Sequence, residues 1–413
     1  MKTTQDRQDG TKRRNISGAL RDWARRRGNI VVLSAGVMVM VMGFSAFTVD
    51  VGFIALTRTQ MQAASDGAVL AAAQELAAAF QPGISGGGET NVTGPAELAA
   101  VEIAALHRAA DRDSITVVPD QDVRFGQYRY FATSNSWEKT WGVAPYNLVE
   151  VTLRRAQAGD PDAEPGSSGD GPIPLFFAPV IGVNDAEVTT TSAAAMLPGV
   201  GFRIIPGSGM NALVLPFAFD EHSWNRLMDE NYSHEFNDDF SYNPETRQVV
   251  PGTGDGILEI NLYPYGNHDL PPGNRGTVDI GSPNNSTNDL KRQILYGLNE
   301  YDLSFFGGQL RLEEDVPLQL NGDTGISAGM KEQLETIKGQ TRAIPIFSEV
   351  SGPGNNAMFT IVKFVGIRIL DVRLTGGNKH LIVQPAPFSD PTVIPGEGPI
   401  EVDTILSTPK LIR

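Results

Sequence analysis

IVVLSAGVMVMVMGFSAFTVDVGFIALTRTQMQAASDGAVLAAAQELAAAF, residues 30–80, contains no proline and decides how the rest of the chain is read. Its first twenty residues, Ile30 to Val49, carry no charge and are separated from Arg25, Arg26 and Arg27 only by Gly28 and Asn29. At about 1.5 Å rise per residue, a helix of that length spans roughly 30 Å, the thickness of a bilayer's hydrocarbon core. A secretory signal has a shorter apolar run, typically about 7–15 residues, followed by a small-residue cleavage site. Here Ala63-Ala64-Ser65 mimics such a site, but it lies far beyond the run and inside a helical pattern. An uncleaved membrane anchor from Ile30 to Val49 is therefore expected.

The chain on either side of the anchor differs in charge. Residues 1–27 hold nine Lys/Arg and three Asp/Glu, which leaves 24 of 33 basic and 45 of 48 acidic residues for the remainder. Basic flanks stay on the cytoplasmic side of a membrane helix. The expectation is a single-pass bacterial inner-membrane protein with residues 1–27 as a basic cytoplasmic tail and the acidic bulk exported. No basic stripe is available to meet phosphates, so nucleic acid is not an expected partner. Cysteine is absent, which removes disulfides, thiolate nucleophiles and Cys-ligated metals.

Beyond Val49 only Gly52 and Gly67 interrupt helix-forming residues, so one helix is predicted to run to about Phe80. Its outer half is rich in alanine, the best helix former and small enough for close helix approach. Ala64, Ala68, Ala71 and Ala72 share a face at three- and four-residue spacing. That face is expected to associate with a neighbouring protein or a second copy, and the alternative is that it packs on its own domain. A loop over 84–95 and a helix from Ala96 to about Arg112, after Pro95, are predicted next. Strand patterns follow at Val123–Phe131, Leu148–Leu153 and Glu187–Ala195, with GDPDAEPGSSGDGP (159–172) as a surface excursion.

Residues 81–198 thus read as an α+β exported unit, with Pro198-Gly199 as its boundary. Residues 199–413 read as a β-rich exported domain, sandwich or barrel-like, with β-prone runs at Ala212–Phe219, Ile257–Tyr263, Ala343–Phe347, Phe359–Leu374 and His380–Gln384. Two helices are predicted there, Thr287–Leu298 and Gly329–Lys338, with Asn288-Asp289 and Ser327 as N-caps. The fold class is α+β behind a long transmembrane and projecting helix at 28–80.

The stretch from Arg25 to Ala77 resembles the N-terminal module of the TadE/TadG-like Flp pilus-assembly family. Gly28 and Asn29 open the membrane helix, Asp50 and Gly52 form the Asp-x-Gly at its outer end, and Arg58, Gln62, Ala63, Ala64, Asp66 and Ala68 continue the pattern. Ser65 stands where another Ala or Asp is common. PGNRGTVDIG (272–281), GDTGISAG (322–329), RAIPIF (342–347) and FTIVKFVGIRI (359–369) resemble the exported part of TadG-related proteins more loosely. Many of those carry a von Willebrand A domain whose metal site needs Asp-x-Ser-x-Ser. Asp302-Leu303-Ser304 is followed by Phe305 and Phe306, so the last ligand is missing. The resemblance implies pilus or surface-assembly work alongside other pilus-assembly components, without that metal site. A prepilin would be cut after Gly28 and carry Glu five residues on, where Leu33 stands.

Rival chemistry is thin. Gly325-Ile326-Ser327-Ala328-Gly329 matches the nucleophile elbow G-x-S-x-G, and Asp371 and His380 follow in hydrolase order. The elbow needs a strand running straight into the turn, whereas Asn321-Gly322-Asp323-Thr324 intervenes, and a plain helix cap at Ser327 explains the same residues. His107, His222, His234, His268 and His380 never fall at a metal-binding spacing. His234-Glu235 with Asn237, Asp238 and Asp239 could offer oxygens to Ca²⁺, but an acidic solvated loop is the expected state. No catalytic residue, cofactor or metal is expected. The expected role is a non-catalytic, membrane-anchored scaffold or minor-pilin-like component of a pilus-assembly or surface-adherence apparatus; the alternatives are an exported serine hydrolase using Gly325–Gly329 and an envelope-binding module unrelated to pili.

Overall fold

A computed structural model describes residues 16–80, 90–156, 170–263, 276–281, 286–313, 316–323, 326–352 and 357–412. Most of the 159–172 excursion, the Gly-rich 85–88 stretch, His268 and Gly325 lie outside them. The predicted long helix is present but starts earlier: α1 covers Ile16–Glu75, 60 residues, and a 3₁₀ turn continues it over Leu76–Phe80. The last twelve residues of the basic tail, 16–27, are thus part of this helix. Along the apolar part of α1, mean hydropathy reaches 2.3 over 18 residues, and none of that stretch is buried inside the protein.

The outer half of α1 is the centre of the first unit. It lies against α2 (Thr90–Ala105) and against a five-stranded antiparallel sheet. α2 begins at Thr90, with Pro95 inside it, which corrects the predicted loop at 90–95 and a helix running to Arg112. A short α3 (Pro119–Asp122) leads into β1 (Val123–Phe131), β2 (Ser136–Trp141) and β3 (Leu148–Arg155). β4 (Ile173–Pro174) and β5 (Asp185–Ala186) form a separate two-stranded neck, and β6 (Val188–Ala195) returns to the sheet. The sheet order is β2-β1-β3-β6-β21, so its last strand, β21 (Lys410–Ile412), comes from the C-terminus.

The second unit is described from β7 (Gly199–Arg203) onward. β8 (Phe217–Asp220), α4 (Glu221–Met228), the hairpin β9 (Phe240–Asn243) and β10 (Gln248–Pro251), β11 (Ile260–Asn261) and β12 (Gly276–Val278) follow. Next come α5 (Thr287–Tyr296), α6 (Glu300–Ser304), β13 (Gln309–Arg311), β14 (Leu318–Asp323), α7 (Lys331–Thr336) and β15 (Thr341–Ser351). The chain ends through β16 (Ala357–Arg373), β17 (His380–Pro385), β18 (Ser389–Asp390), β19 (Val393–Pro395) and β20 (Leu406–Ser407), then β21.

The sheet order β11-β17-β16-β14-β12-β8-β15 carries an extra β15–β16 pairing, which closes β16, β14, β12, β8 and β15 into a five-stranded ring. Only the β8–β15 contact is parallel. Side chains alternate along these strands. Phe217, Phe219, Ile344 and Ile346 join α4, α5 and α7 in one core, while Ala218, Ala343, Phe347 and Phe359 fill another with Phe202 of β7. The cap of α5 is Ser286, which accepts from the Asp289 N–H, not Asn288-Asp289.

Two expected domain limits shift. Residues 50–80 belong to the core of the α+β unit rather than standing apart from it, and residues 406–412 cross back to that unit: Leu406 sits in its core and β21 pairs with β6.

Candidate anchoring and docking site of the membrane helix

At the outer end of the membrane stretch, Asp50 is only 3 % exposed. Its Oδ1 accepts from the Phe176 N–H at 2.9 Å and, at a longer 3.3 Å, from Phe177 N–H, while Oδ2 accepts from Phe177 N–H at 3.0 Å and Ala178 N–H at 2.7 Å. Those amides open the 3₁₀ turn Ala178–Ile181, whose first N–H groups have no partner within the turn. A carboxylate from another element therefore caps it, through charge-assisted bonds. Phe53, one turn along α1, meets Phe176 edge-on with ring centroids 5.1 Å apart. The partners of Asp50 lie 126 to 128 residues away in sequence.

Three turns further along α1 a second polar knot forms. Gln62 Nε2 donates to Asp66 Oδ1 and to Ser192 Oγ, both at 2.8 Å. Ser192 Oγ donates to Asp66 Oδ1 at 2.5 Å, and Ser65 Oγ lies 2.7 Å from Ser192 Oγ and 3.0 Å from the Gln62 carbonyl oxygen. Ser65 and Ser192 are both buried, so their hydroxyls need the partners they have. Gln60 Oε1 also accepts from the Ala110 N–H at 3.1 Å, beyond the end of α2.

The motif residues thus divide. Asp50, Gln62 and Asp66, with Ser65, fix α1 to its own domain. Gly52 has open space around it, Arg58 and Ala63 are exposed, and Gly28 and Asn29 lie within α1. The association face is corrected: Ala64, Ala68 and Ala72 have no exposed surface and belong to the core with Ala100, Ala104, Val149, Val151 and Ala194. Ala71 is half-buried. Their small side chains allow close approach, as expected, but to α2 and the sheet of the same chain. Ser192 and the Phe176–Ala178 amides were not foreseen from sequence, since nothing local marks them.

The loop that Asp50 caps is held at its base as well. Arg155 has no exposed surface and donates to Gly171 O at 2.7 Å, Ala109 O at 2.8 Å, Asp111 Oδ1 at 2.7 Å and Pro172 O at 3.1 Å. Asp170 accepts from the Thr116 N–H and Oγ1–H, both at 2.9 Å.

The rival sites take other shapes. Ser327 caps a 3₁₀ turn, its Oγ accepting from the Gly329 N–H at 3.3 Å. β14 does run on to Asp323, closer to the Ser327 turn than expected. Asp371 and His380 are brought together across β16 and β17, with His380 Nε2 2.6 Å from Asp371 Oδ2, and Lys338 Nζ shares the carboxylate at 3.4 Å. Among the described residues no hydroxyl hydrogen-bonds to that imidazole. The acidic loop holds its own backbone: Asp238 accepts from the Asp255 and Gly256 N–H groups, and Glu259 from those of Asp239 and Phe240. Burial, with Asp239 and Asp238 nearby, lifts Glu259 to about 7 against these bonds. Glu235 pairs with Arg226. Among the described residues no His, Asp and Glu group is arranged to hold a metal ion.

No curated protein and no solved structure matches the chain. Residues 28–75 match the model of the Tad family, Flp pilus-assembly TadE/G-like. The match begins at the Gly28-Asn29 pair and ends with α1 itself, so it takes in both the Asp50 clamp and the Gln62–Ser65–Asp66 knot. From Gly28 to the end of α1, the chain is similar to the TadE/G-like Flp pilus-assembly family.

Proposed function

We propose that the protein is a non-catalytic, membrane-anchored scaffold or minor-pilin-like component of a Tad/Flp-type pilus-assembly or surface-adherence apparatus. The observation that carries this reading is the similarity of residues 28–75 to the TadE/G-like family, in a helix whose apolar half is not buried inside the protein and whose outer half is built into a folded unit. A helix that is apolar all round and unburied needs another apolar medium. Residues 1–27 stay cytoplasmic, and the two units beyond α1 are presented on the far side of the inner membrane. Partners are other pilus-assembly components, met through the exposed surfaces of the module and of the two units.

Deleting the chain's gene in its host should abolish or sharply reduce surface pili seen by electron microscopy. A chimera with an unrelated membrane helix in place of 28–49 should restore export of the units but not piliation. Normal piliation in the deletion strain would overturn the proposal. Full rescue by the chimera would remove the module from it.

A further inference from the structure

Leu175-Phe176-Phe177-Ala178-Pro179-Val180-Ile181-Gly182-Val183-Asn184 joins β4 to β5 and contains no charged residue. Its apolar side chains point away from the core: Val180 is 90 % exposed, Ile181 76 % and Phe176 63 %, with Phe177 and Val183 also exposed. The loop is nonetheless held firmly, by the β4–β5 neck, the Leu175 N–H to Asn184 O bond at 3.0 Å, and the Asp50 clamp. A held loop that shows water its largest apolar residues needs a covering medium.

Its position says which. Phe177, Val180 and Ile181 line an apolar groove of about 810 Å³ whose other wall is Val41, Met42 and Phe47 of α1. Val41 lies eight residues inside Val49, about 12 Å along the helix at 1.5 Å per residue. The loop therefore runs beside the part of α1 that the anchor reading places in hydrocarbon. The clamp at Asp50 fixes one to the other, so keeping the loop in water would require drawing Val41–Val49 out of lipid. Of the polar residues that line the groove, Asp50 is turned onto loop amides, which leaves Ser45 on α1 and Asp185, at the start of β5, among otherwise apolar walls.

We propose that residues 175–183 are a second membrane contact: the loop is inserted in the leaflet from which α1 emerges, and acyl chains fill the groove between them. This rests on the membrane-anchor reading above. Two attachment points, rather than one flexible helix, then fix the tilt of both exported units against the bilayer.

The test uses the full chain, whose lack of cysteine permits clean labelling, in phosphatidylethanolamine/phosphatidylglycerol vesicles. Nitroxide is attached at Val180→Cys, at Val37→Cys on the anchor, and at Ser134→Cys on the exposed turn between β1 and β2. Power-saturation EPR then compares accessibility to oxygen, which concentrates in lipid, and to a water-soluble nickel chelate. Val180 is nearly fully exposed, so the label disturbs no packing. The oxygen-to-nickel ratio at Val180 is expected to match Val37 and to exceed Ser134 several-fold. A ratio like that of Ser134 places the loop in water and overturns the proposal. Protection from both reagents means that protein, another copy or a partner, covers the loop and overturns it equally. A water-like ratio at Val37 instead brings down the anchor reading, and the loop proposal with it.

Discussion

Ala68→Leu separates a docking face from an assembly face. Ala68 sits with Ala64 and Ala72 on the side of α1 that has no exposed surface, enclosed by α2 and by the β3 and β6 strands. Leucine keeps nearly all of alanine's helix propensity, so α1 itself should be unaffected. The added isobutyl carbons have no solvent to enter, and overpacking of this kind costs about 1–3 kcal/mol. Complete enclosure between a helix and a sheet argues for the upper half, roughly 2–3 kcal/mol. For a unit of this size each kcal/mol moves the melting temperature by about 2–4 °C, so a drop of roughly 4–12 °C is expected. The assay is thermal unfolding of the detergent-solubilised chain by near-ultraviolet circular dichroism. Ala63→Leu, on the exposed side of the same turn, is the control and should stay within about 0.5 kcal/mol. An Ala68→Leu protein that melts like the control, yet loses crosslinks to neighbours in the membrane, would refute the packing described here.

Glu259→Gln should remove a pH dependence. The folded carboxyl binds its proton up to about 7, above the ordinary 4.5, so its contribution to stability is intact below pH 4.5, falls as pH rises, and is fully lost above about 7. Glutamine keeps the oxygen that accepts from Asp239 and Phe240, so urea midpoints should rise at pH 8, by at most about 3 kcal/mol, and be unchanged at pH 4. A gain at pH 4 as large as at pH 8 would discard the assigned cause. Arg155→Lys cannot reproduce the planar fork that reaches Ala109, Gly171 and Pro172 carbonyls, and should cost about 2–4 kcal/mol by urea unfolding. An unchanged midpoint would show that the fork contributes nothing. Asp50→Ala should leave the global melt nearly intact while a spin label at Val180 becomes markedly more mobile. Unchanged mobility would mean that the loop does not depend on the clamp.

How much the residues alone reveal depends on whether the deciding interaction is local. The uncharged run Ile30–Val49, the alanine-rich continuation and the motif from Gly28 to Asp66 are patterns within one helix, and the sequence determined them: helix, membrane suitability and module are legible without a fold. Val123–Phe131 was likewise legible, because alternation on a half-buried strand repeats every second residue. The Ser327 cap could be read from a hydroxyl just ahead of a helix. What only the tertiary structure decided is what each surface meets. Asp50 looks like a lone charge at a membrane boundary until residues 176–178, more than a hundred positions on, bring it three amides. Ala68 is equally fit to touch a stranger or its own sheet, since small size permits close approach without naming the partner. The ring of β16, β14, β12, β8 and β15 depends on one strand pairing along both edges, and hydrogen-bond partners across a sheet leave no trace in local composition. The return of Leu406–Ile412 to the first unit is of the same kind: a few apolar residues whose destination is set by which core remains open when the rest of the chain has folded.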